Sequence, residues 1–250
     1  FMMEEDGRVE EQLYFEYVAL NLSSPPRVTR VSRPSEALDL LAVKRFDLII
    51  MMPGIDLSET FVGAKDIKSR YPDVPIIVLT PFSKEVSRRL AKEDLTAVDY
   101  VFSWLGNVDL LLAIIKLLED KMNADNDINE VGVQLILLVE DSVRFYSSVL
   151  PTLYKFLLKQ SLIFSTEALN EHEQMLRMRG RPKVMLARDY EEAVALYERY
   201  GKNMLGVISD VSFKREGVKD SKAGIKLAKY LRERDPYLPL SLIHISEPTR

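Results

Sequence analysis

The chain contains no cysteine, which excludes disulfides, thiolate nucleophiles and cysteine-based zinc sites. Histidine occurs only twice, too sparsely for a His-rich metal centre. No apolar run approaches the roughly 18–20 residues of a membrane span. The opening FMMEED lacks the basic-then-apolar order of a signal peptide. A net charge of −4 supplies no basic stripe of the kind that nucleic-acid binding demands. No G-x-G-x-x-G follows an apolar strand and no P-loop occurs, which disfavours dinucleotide and nucleoside-triphosphate cradles. These absences lead to the expectation of a cytoplasmic protein with neither nucleic acid nor membrane among its partners.

What is present is a chain of 250 residues, long enough for two domains with separate cores. Its first half reads as a helix near residues 10–20, a short strand at 27–32 after Pro25-Pro26, and a helix at 35–44. An apolar strand follows at 46–52 (FDLIIMM), then a helix at 64–70 and a buried strand at 75–80 (PIIVLT). A helix around 84–93, a strand at 97–102 and a long helix at 109–121 complete it. The polar run NADNDINE (123–130) reads as a linker. Beyond it come strands at 134–139 (QLILLV), 183–187 and 205–209, with helices at 142–159, 167–178, 191–199 and 224–234. Strands alternating with helices at this spacing predict an α/β fold with parallel sheets covered on both faces.

Internal repetition organises the pattern. RVTRVSRPSEA (27–37) and KVMLARDYEEA (183–193) align without a gap, and SRYPDVP (69–75) matches ERDPYLP (233–239) in the same order.

The chemistry concentrates in the second half. Strand 134–139 ends on Glu140-Asp141, and strand 205–209 ends on Asp210. Neighbouring parallel strands present their carboxyl ends at one edge, where ligands bind. By itself a Glu-Asp pair there serves to cap a helix. With Asp210 added, three converging carboxylates repel one another unless a cation neutralises them. Hard oxygen donors with room for water and phosphate oxygens suit Mg²⁺.

Here the residues resemble a known family. LILLVEDS (135–142), MLGVISD (204–210) and GIKLAKYLR (224–232) are similar to the first strand with its acidic pair, the third strand, and the following helix of response-regulator receiver domains. The resemblance implies tandem doubly wound, flavodoxin-like parallel sheets. It implies Asp210 as phosphoacceptor, Asp141 and Glu140 as the acidic pair that holds Mg²⁺, and the backbone carbonyl of Ser212 as a further ligand. A histidine kinase or other phosphoryl donor would be the partner.

The first half keeps the pattern and loses the chemistry. Counting as far into its strand as Asp210 lies in the other lands on Met52, which has no oxygen nucleophile. Asp56, beyond Pro53-Gly54, reads as a turn residue, and Glu4-Glu5-Asp6 as a solvated charge run. Thr80 and Tyr100 fall where the family carries its switch hydroxyl and aromatic, but Ser103 falls where it carries a lysine. The expected organisation is a degenerate receiver-like domain over 1–122 lacking its first strand, a linker over 123–133, and a receiver over 134–250. The second is expected to carry an inserted helix and to be truncated, with HISEPTR (244–250) of doubtful origin. KREGVKDS (214–221) borders the acceptor, where a loop can gate the site or dock a partner, but reads first as a solvated charged loop; His172 reads as solvent-facing, and Trp104 as core edge.

LTPFSKEVSRRL, FSWLGN, LLAIIKLLEDKMN and VEDSVRFYSSVLPTLYKF resemble the N-terminal region of bacterial phosphoenolpyruvate synthase or pyruvate, phosphate dikinase-like proteins. That resemblance implies a regulatory segment ahead of downstream phosphotransferase domains. A third reading is an interaction module in which neither half is phosphorylated.

Overall fold

The computed structural model describes residues 9–53, 57–81, 93–104, 106–166, 170 and 180–243. The chain is α/β and divides into two compact units, Phe1–Val18 with Leu22–Leu110, and Ala19–Asn21 with Leu111–Arg250.

The first unit contains α1 (Val9–Ala19), α2 (Pro34–Val43), β1 (Ile49–Met51), α3 (Leu57–Arg70), β2 (Ile76–Pro81) and β3 (Tyr100–Trp104). The strands form a parallel sheet in the order β1-β2-β3. Ile76, Ile77, Val78 and Leu79 are all fully buried, as expected of a central strand whose two faces are both covered. Asp99 clips the start of the sheet, accepting from the Ile76 amide and the Lys68 ammonium, each at 2.8 Å.

Residues 27–32, expected as a strand, join no ladder. Val28 and Val31 are exposed, and Pro25-Pro26 immediately before them cannot donate to a neighbour. The equivalent segment of the repeat, KVMLA, is buried at every position. Similar sequence thus meets a partner strand in one case and solvent in the other. The acidic run 4–6, Asp56, all but one residue of the expected helix at 84–93, and His172 lie outside the described residues.

Helix α4 (Val108–Ala124), all but its first three residues in the second unit, continues into a π-helical turn, Asp125–Glu130. Next come β4 (Leu135–Val139), α5 (Val143–Thr166), β5 (Lys183–Ala187), α6 (Tyr190–Tyr200) and β6 (Met204–Asp210). A hairpin follows, β7 (Phe213–Arg215) with β8 (Val218–Asp220), and then α7 (Ala223–Arg234) and β9 (Leu240–Ile243). Four strands form a parallel sheet in the order β5-β4-β6-β9. The core gathers Leu135, Leu137 and Val139 of β4 with Val207, Phe213, Leu227 and Leu231.

The stretch 123–130, expected as a linker, is helical throughout. Its one aliphatic side chain with a long stem, Ile128, is fully buried. Its polar groups are used as well: Asp125 accepts from Tyr200, Asp127 pairs with Lys183 at 2.7 Å, and the Ile128 carbonyl accepts from Asn203. Part of this polarity therefore serves partners, while Asn123, Asn126, Asn129 and Glu130 remain exposed.

Near the amino ends of β4 and β5, Asp120 of α4 is fully buried. It accepts from both terminal nitrogens of Arg181 at 3.0 and 2.7 Å, from the Tyr154 hydroxyl at 2.9 Å and from the Val184 amide at 2.9 Å. A buried carboxylate requires such complete pairing, because an unpaired ion costs several kcal/mol. The expected helix at 167–178 lies outside the described residues apart from Asn170. At the other end, residues 240–243 pair with β6 in parallel, Val207 opposite Leu240, so the strand extends past the point where the family resemblance fades. Residues 244–250 are not among those described. Among the described residues no helix is long and apolar enough to cross a membrane.

Candidate metal centre

Strand register brings the expected acids together. Val139 lies opposite Ser209, so the next residues, Glu140 and Asp210, leave the carboxyl edge of the sheet side by side. Glu140 is held there by its own amide, which donates to the Ala187 carbonyl of β5 at 2.9 Å. One carboxylate oxygen from each of Glu140, Asp141 and Asp210 falls within 4.8 Å of the others. Among the described residues this is the one grouping of three potential metal ligands.

Backbone amides orient two of the three. The Ser142 amide donates to Glu140 Oε1 at 2.9 Å, and the Ser212 amide donates to Asp210 Oδ2 at 3.2 Å. Ser212, expected to contribute its carbonyl, is therefore tied to Asp210 through its N–H. The close approach of α7 fixes the end of β6. Gly224 donates its amide to the Val211 carbonyl at 3.0 Å. A Cβ at Gly224 would lie 2.1 Å from the Asp210 carbonyl oxygen and 2.9 Å from Val211 Cα, so only glycine fits.

Glu140 is 8% exposed, and its carboxyl is pushed up to about 7. Burial is the main cause, partly opposed by the Ser142 amide, and the neighbouring Asp210 and Asp141 charges push it further in the same direction.

Sequence reasoning missed one participant. The segment expected as a solvated charged loop is a hairpin, β7 antiparallel to β8, with Arg215 opposite Val218. Glu216 and Gly217 both have positive φ, 53° and 77°, which is the backbone of the tight two-residue turn that suits hairpin twist. A turn signal was legible in Glu216-Gly217, flanked by FKR and VKD. The hairpin is docked, not loose. Phe213 is fully buried, a backbone β-bridge joins Asp189 to Lys214, and the Arg215 guanidinium lies 5.0 Å from the Tyr190 ring centre. From β8, Lys219 Nζ donates to both oxygens of Asp141 at 2.8 Å.

The donor set fits a small hard cation. Octahedral Mg²⁺ at about 2.1 Å spans about 4.2 Å between opposite ligands, so small side-chain rotations close the observed spread. Three carboxylates around one position also give the charge such an ion needs, and Lys219 balances part of it.

At the positions expected to correspond in the first unit, the described residues bring no such acids together. Met52 follows β1 directly and is exposed. Thr80 and Ser103 are buried opposite each other on β2 and β3, and Tyr100 and Trp104 are buried at the two ends of β3. No protein-family model matches the chain, and no curated protein matches it.

Proposed function

We propose that the second unit is a phosphoacceptor module of the receiver type, with Asp210 as the residue that takes the phosphoryl group. On this reading both units are flavodoxin-like, doubly wound sheets, and the first has kept the architecture without the acceptor. The observation that carries it is the convergence of Glu140, Asp141 and Asp210 within 4.8 Å at the carboxyl ends of adjacent parallel strands. An isolated acidic pair would serve as a helix cap. Three acids gathered at a sheet edge, one of them buried, are an arrangement that stability alone disfavours.

Asp210 is the most suitable nucleophile of the three. It is partly exposed, whereas Glu140 is buried, and Asp141 has both oxygens engaged by Lys219. With an acyl phosphate as donor, an Asp210 carboxylate oxygen attacks phosphorus as the bond from phosphorus to the donor oxygen breaks. The donor carboxylate departs with the bonding pair, and no proton moves. A bound Mg²⁺, held by Glu140, Asp141 and Asp210, would offset charge on the phosphoryl oxygens. The Ser212 amide orients the attacking carboxylate.

The test combines calorimetric titration with MgCl₂ and incubation with acetyl phosphate, read by intact mass. Wild type is expected to bind Mg²⁺ at millimolar concentration or below and to gain one phosphate, sensitive to hydroxylamine. Asp210→Asn should abolish that gain completely, because Met52 offers no second acceptor. Wild type showing neither behaviour would leave an interaction module without phosphorylation as the better reading.

A further inference from the structure

The hairpin β7–β8 delivers an ammonium group to the acidic cluster from a docked piece of sheet. We propose that Lys219 is a positioning residue that competes with a divalent cation for Asp141, and so sets the ion concentration at which the site becomes competent. This rests on the reading of Glu140, Asp141 and Asp210 as a cation site.

Three observations support it. Lys219 Nζ contacts both Asp141 oxygens at 2.8 Å, so it uses the same lone pairs that would ligate a metal. Asp141 itself is well shielded, with its side chain 13% exposed, while that of Lys219 is 55% exposed. The amine therefore has open solvent into which it can withdraw, and Asp141 stays in place. The hairpin carrying Lys219 is anchored by buried Phe213 and by a backbone β-bridge between Asp189 and Lys214. Its amide at Glu216 also donates to Glu191 of α6 at 3.1 Å. Displacement of the amine thus requires rotation of the lysine side chain only.

Competition has a sign that a structural role does not share. If Lys219 merely braced the hairpin, its loss would loosen the site and weaken ion binding. If it competes, its loss strengthens ion binding. A partly exposed ion pair is worth up to about 1 kcal/mol, or about a fivefold change in affinity.

The experiment compares wild type, Lys219→Met and Lys219→Arg by calorimetric titration with MgCl₂, after circular dichroism has shown that each is folded. Lys219→Met keeps most of the apolar stem, and Lys219→Arg keeps the charge. The expected result is Mg²⁺ binding about two- to fivefold tighter in Lys219→Met, with Lys219→Arg near wild type. In parallel, amine acylation of Lys219, followed by peptide mass spectrometry, should accelerate when MgCl₂ is added to wild type. Unchanged or weaker Mg²⁺ binding in Lys219→Met, with wild type binding normally, overturns the competition and leaves the cation site standing. Acylation at Lys219 that is indifferent to MgCl₂ in protein that binds the ion overturns it equally. Absence of Mg²⁺ binding in wild type and Lys219→Met alike removes the cation site and this inference with it.

Discussion

Replacing Asp210 by asparagine deletes one charge from the cluster while keeping its shape and its capacity to accept from the Ser212 amide. Ligand oxygens of the three acids lie within 4.8 Å of one another. At an effective dielectric of about 20, two unit charges at such a distance repel by about 3 kcal/mol. Lys219 on Asp141 and the partial exposure of Asp210 reduce this, leaving about 1–2 kcal/mol of expected stabilisation. In a chain of this size that is a rise of about 2–8 °C in Tm. The gain must depend on pH. Glu140, raised to about 7, is mostly protonated at pH 6 and mostly ionised at pH 8, so its repulsion with Asp210 is present chiefly at the higher pH. Differential scanning calorimetry in chelator at both pH values is the assay. A Tm gain in Asp210→Asn that is equal at pH 6 and pH 8, or a loss at pH 8, would refute the electrostatic reasoning.

Three further outcomes follow from the same geometry. Because Glu140 binds its proton more tightly folded than unfolded, its ionisation costs stability progressively as pH rises from its ordinary 4.5 to about 7, by up to about 3 kcal/mol. Urea unfolding in chelator should show wild type losing stability relative to Glu140→Gln across that window, and parallel curves would contradict it. Gly224→Ala should cost about 1–3 kcal/mol and weaken Mg²⁺ binding, since the added Cβ would lie 2.1 Å from the Asp210 carbonyl oxygen; an unperturbed titration would show that α7 does not set the position of Asp210. Asp120→Ala strands the buried Arg181 guanidinium and should cost about 3–5 kcal/mol in chemical denaturation, against less than about 0.5 kcal/mol for an exposed control such as Glu233→Ala.

The α/β alternation, the apolar strands and the three acids were legible because each is a local property of the chain. LILLV and MLGVIS have the length and composition of inner strands of a parallel sheet, and neighbouring strands of such a sheet point their carboxyl ends to one edge. Thus the convergence of Glu140, Asp141 and Asp210 was legible in the sequence. So was the lack of an acceptor at Met52, which follows from side-chain chemistry alone.

Tertiary structure decided what depends on partners distant in sequence. RVTRV and KVMLA read alike, yet only the second finds a strand beside it, because strand formation needs a neighbour's donors and acceptors as well as propensity. NADNDINE has the composition of a linker, but Tyr200, Lys183 and Asn203 supply partners for its polar groups and the core takes Ile128. Lys219 lies 78 residues from Asp141 in sequence. Its place at the acidic cluster comes from the Glu216-Gly217 turn and the burial of Phe213, and the electrostatic consequence exists only once the hairpin has folded against the sheet.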